Sequence, residues 1–224
     1  MKYVIANWKA NKDIDSAIQW IQSFRSYDLN KLSKDIEIII CPPYHLISEM
    51  KRLTSDLEHV SYGVQNISTF DNGPYTGEVT AASLKGLVTY AIIGHSERRK
   101  YLMETNADIE KKVQNAKDNQ IIPLFCVRNN DDIIFSGLEF IVFEPPEGIS
   151  KGDGYGKTAS IDSVINMKNS LKLESHHKFI YGASVNPENA SSFLNHPEID
   201  GVLPGGASLN PALFYAICLA YRPS

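Results

Sequence analysis

The chain has 224 residues, which is enough for one large domain or two small ones. Apolar residues make up 43% and charged residues 21%, which is typical of a globular protein with a sizeable core and excludes a disordered or fibrous chain. The net charge of −4 argues against nucleic acid or an anionic membrane as a partner, so we expect a small-molecule ligand.

The start of the chain and its cysteines both favour a reducing compartment. The apolar run at the start of the chain is too short for a signal peptide, and no later run reaches the length of a membrane span. Cys41, Cys126 and Cys218 are odd in number and lack metal-ligand spacing, so we expect reduced core thiols. These features predict a cytoplasmic protein.

Eight short runs rich in β-branched and aromatic residues recur along the chain, each followed by turn residues and a helix-like stretch. This rhythm is typical of βα units with parallel strands. Eight units predict an α/β fold, a (β/α)8 barrel that forms a single domain over residues 1–224. An open doubly wound sheet has the same rhythm and is the alternative. The runs cover residues 3–6, 36–40, 60–64, 90–93, 121–125, 140–143, 179–182 and 201–203.

Several helices can be predicted between these strands. Apolar residues recur at helical spacing over residues 13–24, which indicates an amphipathic helix. The pair Asn186-Pro187 is typical of a helix start, and Ser208 stands where an N-cap would precede a helix over residues 209–219. Between strands five and six there is room only for a stub around residues 131–135, so we expect a shortened fifth helix.

Polar residues stand at the C-terminal ends of the predicted strands, where a (β/α)8 barrel builds its active site. Packing alone does not explain this placement, which favours the barrel over the open sheet. The residues are Asn7 and Lys9 after strand one, His95 and Glu97 after strand four, Glu144 after strand six, Ser184 after strand seven, and Gly205 and Gly206 after strand eight.

Five segments around these residues resemble the signature segments of triosephosphate isomerases, in the family's order and over nearly the whole chain. The short length and the Pro-Pro-Glu after Glu144 are most similar to the compact, archaeal-type branch. The segments are Asn7-Trp8-Lys9, Gly94-His95-Ser96-Glu97-Arg98-Arg99, Glu144-Pro145-Pro146, Tyr181-Gly182-Ala183-Ser184-Val185 and Gly205-Gly206-Ala207-Ser208-Leu209.

The resemblance implies an aldose–ketose isomerase that interconverts D-glyceraldehyde 3-phosphate and dihydroxyacetone phosphate through an enediolate, in glycolysis and gluconeogenesis. Glu144 would be the base and His95 the neutral electrophile at a helix start, a pairing for which this family is itself the known example. Lys9 would be the active-site cation. Asn7 would bond near the oxyanion, and Glu97 would hold Lys9 or Arg98.

The substrate phosphate is expected on backbone amides of Ser184, Gly205 and Gly206, since small residues and helix starts suit an anion. Residues 145–152 should form a closing lid, in which Ile149 would clamp the glutamate together with Leu203. Ser150 and Lys151 replace the family's usual Gly and Thr, so a lid register that uses residues 154–156 stays open.

No cofactor or metal is expected. Residues 152–158 look like a nucleotide-binding P-loop, but Lys151 stands where that motif requires glycine. His176 and His177 have no partner at metal-ligand spacing.

The long loop over residues 66–79 predicts assembly with a second copy. It carries Phe70, Pro74 and Tyr75 without a helix of its own, and loops of this length are usually functional. By resemblance it would reach a neighbouring subunit near Asn7 and Lys9 and form a homodimer. The shortened fifth helix adds the alternative of a homotetramer.

Two other functions remain open. One is an isomerase of a longer sugar phosphate, because the fold and motifs do not fix the substrate. The other is a non-catalytic phosphate-binding or scaffold protein, which the intact Asn7, Lys9, His95 and Glu144 disfavour.

Overall fold

The computed structural model describes residues 1–145, 148 and 158–223 and forms a closed barrel of parallel strands in sequential order. The predicted (β/α)8 barrel is therefore confirmed, and the predicted strands differ from the observed ones only at their ends. The strands are β1 (Lys2–Asn7), β2 (Ile36–Cys41), β3 (Val60–Val64), β4 (Tyr90–Ile93), β5 (Ile122–Val127), β6 (Phe140–Phe143), β7 (Lys178–Tyr181) and β8 (Gly201–Val202).

Helices surround the barrel and come between successive strands along the chain. In the described residues none of them is long and apolar enough to cross a bilayer. They are α1 (Ile14–Arg25), α2 (Ile47–Leu53), α3 (Ala81–Leu84), α4 (Ser96–Tyr101), α5 (Asn106–Asp118), α6 (Ile161–Ser170), α7 (Ala190–Leu194) and α8 (Pro211–Leu219).

The strand side chains alternate between two apolar layers, because successive residues of a strand point to opposite faces. Ile5 of β1 belongs to the cluster that fills the barrel interior, whereas Val4 and Ala6 belong to the cluster under the helices. The three cysteines are buried and free in these layers, as predicted. The barrel interior is thus a packed core and not a channel.

The barrel closes where β8 pairs with β1, in the register Tyr3 with Gly201 and Val4 with Val202. A Cβ atom on Gly201 would lie 2.2 Å from the carbonyl oxygen of Tyr3, so glycine is required for this approach. Beyond the closure, the Asn7 amide donates to the carbonyl of Pro204 at 3.1 Å. The first and eighth loops are thereby held side by side.

The segment between β5 and β6 is shorter than the sequence predicts. The predicted shortening of the helix between β5 and β6 is confirmed. It goes further than predicted, because residues 131–135 form turns and irregular chain instead of a stub helix. The Asp132 carboxylate accepts from the Arg128 backbone amide at 2.7 Å, a local bond that competes with helix formation. Phe135 packs against Phe125 at 5.6 Å between ring centroids, which covers the outer face of β5.

Two predicted helix starts need correction. The helix predicted over residues 13–24 is α1, with Asp13 as its N-cap, but Ser208 lies within a 3-10 turn (Gly206–Leu209), and Asn210 is the N-cap of α8. The Ser208 hydroxyl instead donates to the Gly205 carbonyl at 2.6 Å, which takes it away from the helix. Asn186 opens the turn that runs into α7, since its side-chain oxygen accepts from the amides of Glu188 at 2.9 Å and Asn189 at 3.2 Å, and the helix itself begins at Ala190.

Replacing Asn210 with Ala should lower the free energy of unfolding by about 1 kcal/mol, because an N-cap side chain satisfies otherwise free helix amides. The side-chain oxygen of Asn210 accepts from the amides of Ala212 at 2.9 Å and Leu213 at 3.2 Å. Denaturant unfolding measures the change. Asn169→Ala, on the exposed side of α6, is the control and should not destabilise, since alanine is the better helix former. Equal stability of Asn210→Ala and the wild type would contradict the assigned cap.

Candidate active site

One pocket at the C-terminal ends of the strands collects most of the residues predicted from the sequence. The predicted residues that line the pocket are Lys9, His95, Glu144, Ser184, Gly205 and Gly206. The rest of the lining comes from Gly148, Gly182, Ala183, Val185 and Leu203. Asn7 and Glu97 contact Lys9, one at its backbone amide and the other at its ammonium group. The barrel therefore brings together side chains that lie far apart along the chain.

The backbone of Lys9 is held in a conformation that residues with a Cβ atom rarely adopt. Its φ angle is 52°. The Asn7 side-chain oxygen accepts from the Lys9 amide at 3.1 Å, and the Gln65 amide group donates at 2.9 Å to the Lys9 carbonyl. Gln65 also donates to the Cys41 carbonyl at 2.9 Å, so this clamp is fixed to the end of β2.

The ammonium group of Lys9 forms an ion pair with the Glu97 carboxylate. Its Nζ lies 2.5 Å from Glu97 Oε1, and both side chains are partly exposed. The sequence left open whether Glu97 holds Lys9 or Arg98. Arg98 bonds to Glu104 at 2.9 Å instead, so Glu97 is the partner of Lys9. A Cβ atom on Gly205 would lie 3.3 Å from Lys9 Cε, so glycine lets the eighth loop approach the lysine closely.

His95 stands at the N-cap position of α4, where hydrogen bonds fix the tautomer of its ring. Its Nδ1 accepts from the Glu97 amide at 3.2 Å, so Nδ1 carries a lone pair. Nε2 therefore bears the proton of the neutral ring, and it lies 2.8 Å from Glu144 Oε1. The imidazole can donate a hydrogen bond into the pocket.

Glu144 follows β6 and is only 1% exposed. One carboxylate oxygen faces His95 Nε2, and the other accepts from the Ser96 amide at 2.9 Å. Burial raises the pKa of Glu144, whereas His95 and the Ser96 amide lower it by a larger amount. The pKa therefore lies below its ordinary value. This direction favours the ionised carboxylate.

The contact between His95 and Glu144 also shifts the pKa of His95. Burial lowers the pKa of its imidazole, whereas the Glu144 carboxylate raises it, and the net direction is upward. The sequence predicts the opposite direction from the amides of the helix start. The Glu97 amide does act in that direction, but the adjacent carboxylate outweighs it in this arrangement.

The far wall of the pocket is built from backbone. Ser184 has a φ angle of 46°, and its hydroxyl donates to the Gly148 carbonyl at 2.8 Å. Gly205 and Gly206 begin the 3-10 turn whose Ser208 amide and hydroxyl both bond to the Gly205 carbonyl. Small residues at a helical start suit an anionic group, and the phosphate site expected at these loops stays a prediction.

Part of the predicted site lies outside the described residues. Ile149 belongs to this part, as do Glu147, Ser150 and Lys151, so the predicted lid and its register remain predictions. Leu203, the expected partner of Ile149, lines the pocket.

Sequence reasoning missed two contributions. Gln65 is not among the predicted site residues, because its bond to Lys9 leaves no local signal across the 56 residues that separate the two. The Ser96 amide could have been found, since it is a free donor at the start of a helix that follows a strand. In the described ranges no cluster of three or more His, Cys, Asp or Glu side chains is placed to hold a metal ion.

The arrangement is suited to moving a proton next to a carbonyl group. An ionised carboxylate can act as the base, and the imidazole N–H with the lysine can stabilise negative charge on a substrate oxygen. Gly205 and its neighbours can take an anionic tail. The pocket thus fits a small carbonyl compound that bears an anionic group.

Comparisons with known proteins agree with this chemistry. A family model described as triosephosphate isomerase matches residues 2–139 and 138–221. A triosephosphate isomerase of Dictyoglomus thermophilum is 35% identical, with 96% of this chain and 98% of the relative aligned. One from Mesomycoplasma hyorhinis is 33% identical, with 92% and 93% aligned. The crystal structure of triosephosphate isomerase from Bartonella henselae superposes with a TM-score of 0.77 at 28% identity, covering 99% of each chain.

Replacing Glu144 with Gln should lower the pKa of the His95 imidazole. The carboxylate that raises this pKa would be gone, while burial would continue to lower it. NMR titration of the His95 imidazole signals in the wild type and in the variant measures the change. An unchanged or higher pKa in the variant would contradict the Glu144–His95 pairing.

Proposed function

The chain belongs to the triosephosphate isomerase family, and from this premise we propose that Glu144 and His95 interconvert D-glyceraldehyde 3-phosphate and dihydroxyacetone phosphate. The observation that carries the assignment of roles is the ionised Glu144 carboxylate 2.8 Å from the Nε2 atom of His95, in one pocket with Lys9. The reaction needs no redox partner, because the proton removed from one carbon is returned to the next.

Glu144 removes the proton from the carbon next to the carbonyl group, and an enediolate forms. The neutral imidazole of His95 gives its Nε2 proton to the enediolate oxygen and takes the hydroxyl proton from the neighbouring oxygen, so the hydroxyl proton moves from one oxygen to the other. The Lys9 ammonium balances the negative charge of the enediolate. Glu144 then returns a proton to the neighbouring carbon. Glu97 and Asn7 act through Lys9, since both bond to it.

Glu144 must leave its present partners before it can act. Both of its oxygens are engaged, one by His95 and one by the Ser96 amide, so neither is free for a substrate carbon. When substrate oxygens take the place of the carboxylate at Nε2, the group that raises the pKa of His95 is removed. Burial and the Glu97 amide then favour the neutral ring, which is the form that donates.

The phosphate is bound by the backbone around Ser184, Gly205 and Gly206. These residues line the pocket together with Lys9, and the side chain of Lys9 packs against Gly205. An anion here gains from the amides of the 3-10 turn and from the lysine. Ile149 is proposed to cover the reacting end.

We assign the reaction to glycolysis and gluconeogenesis in the cytoplasm. The free, buried cysteines Cys41, Cys126 and Cys218 support a reducing compartment. The substrate is a small sugar phosphate.

Glu144→Gln should reduce kcat by about 10²- to 10⁴-fold with a small change in KM, because the amide keeps the shape but cannot accept a proton from carbon. A coupled assay with glyceraldehyde 3-phosphate measures turnover. Glu139→Gln, at the opposite end of β6, is the matched control and should retain activity.

Two outcomes would overturn parts of this proposal. If Glu144→Gln stays active while Glu147→Gln is dead, then the base is Glu147. If the wild type turns over a four-carbon sugar phosphate faster than glyceraldehyde 3-phosphate, then the substrate is a longer sugar phosphate.

The loop over residues 66–79 supports a homodimer. Its tip is exposed and carries Phe70 and Tyr75 stacked at 4.1 Å between ring centroids. The Ser68 amide donates to the Val79 carbonyl at 2.9 Å, which closes the base of the loop. An ordered apolar tip of this kind is suited to insertion into a second copy, near Lys9 and with Thr76 close to it.

Light scattering should give a mass of twice the 25.0 kDa chain for the wild type and a single chain for Phe70→Asp combined with Tyr75→Asp. Charges at the tip would have to be buried unpaired on association. Ile133→Asp, an exposed apolar position elsewhere, is the control and should stay dimeric. A wild-type tetramer that Ile133→Asp splits into dimers would support the second contact, and a fully active wild-type monomer would refute the dimer.

A further inference from the structure

The side chain of Asn189 is turned away from the helix that it precedes. Asn189 occupies the N-cap position of α7, where an asparagine ordinarily bonds the first helix amides, yet among the described residues it makes no such bond. Its oxygen accepts from the Asn186 amide at 2.9 Å. Its Nδ2 donates to the Ser184 carbonyl at 3.0 Å and to Thr158 Oγ1 at 3.1 Å.

The bond to Ser184 holds a backbone conformation that is otherwise unfavourable. Ser184 has a φ angle of 46°, which a residue with a Cβ atom adopts only when its surroundings fix it. Its hydroxyl is bonded to the Gly148 carbonyl and its own carbonyl to Asn189. With the side chain and the carbonyl both fixed, the direction of the Ser184 amide is fixed as well.

We infer that Asn189 is a positioning residue for the phosphate end of the substrate, and this inference rests on the function proposed above. Asn189 holds Ser184 in the conformation in which its amide meets the phosphate. It also ties Thr158 to the same loop. Asn189 does not line the pocket, so it acts through Ser184 and not on the substrate.

The role makes a prediction that a purely structural role does not. The reacting end of the site is built from Glu144 and His95, which belong to other loops. Loss of the Asn189 bonds should therefore weaken the use of phosphate-bearing substrates and leave the chemistry on a phosphate-free substrate unchanged.

Asn189→Asp tests this prediction with almost no change of shape. The variant keeps the acceptor for Asn186 but turns a carboxylate oxygen towards the Ser184 carbonyl. We expect kcat/KM for glyceraldehyde 3-phosphate to fall about tenfold, and deuterium exchange into phosphate-free glyceraldehyde to stay within about twofold. The affinity for inorganic phosphate, measured by calorimetry, should weaken in parallel.

Asn195→Asp is the matched control at the other end of α7. Its Nδ2 donates to the carbonyls of Ser191 at 2.9 Å and Ala220 at 3.0 Å, away from the pocket. The ratio of the two activities should be unchanged in this variant. Thermal unfolding checks that each variant is folded, and Asn189→Ala replaces Asn189→Asp if the latter is not.

A double-variant cycle links the effect to the backbone of Ser184. Glycine adopts positive φ angles readily, so in a Ser184→Gly background Asn189→Asp should cost clearly less than in the wild type. Equal losses on both substrates, or no loss on either, would overturn the inference. If the wild type does not turn over glyceraldehyde 3-phosphate, the proposed function fails, and the calorimetric comparison with inorganic phosphate still decides the role of Asn189.

Discussion

The approach of β8 to β1 is the contact on which the geometry of the pocket depends. It is possible because Gly201 has no side chain to meet the Tyr3 carbonyl oxygen, which would lie 2.2 Å from a Cβ atom. The strands then carry their following loops to the same place, where Asn7 bonds to the Pro204 carbonyl and Gly205 packs against Lys9. Lys9 from one end of the chain and the 3-10 turn from the other thus lie side by side in the wall of the pocket.

The buried charges of the site are balanced by neighbours instead of by solvent. Glu144 is almost fully buried, and its charge is compensated by His95 and by the Ser96 amide. Burying a charge without such partners is costly. Both carboxylate oxygens are occupied by these partners, so Glu144 can contact another group only after one of these contacts is broken. Lys9 differs, because its pairing with Glu97 leaves it partly exposed and available to an anion.

The sequence predicts well what depends on local pattern and on strand ends. The βα rhythm gives the barrel, and the rule that strand ends carry the chemistry brings Lys9, His95 and Glu144 into one pocket. Contacts between distant segments are not encoded locally, which is why the role of Gln65 was missed. The N-cap of α8 was misassigned because Ser208 and Asn210 both suit a cap, and the 3-10 turn between β8 and α8 decides between them. The direction of the His95 pKa depends on the position of Glu144, which no sequence pattern specifies.

The turn segment between β5 and β6 performs without a helix two tasks that helices usually perform in this architecture. A helix in the outer ring connects parallel strands and also shields their apolar outer side. Here a chain without a helix does both, with Phe135 resting on Phe125 and Leu138 buried beside it. The outer ring is therefore modular: a unit can lose its helix as long as a few apolar side chains still keep water from the strands. How short such a chain can be therefore depends on whether apolar side chains still cover the outer faces of the strands, and not on the number of helices.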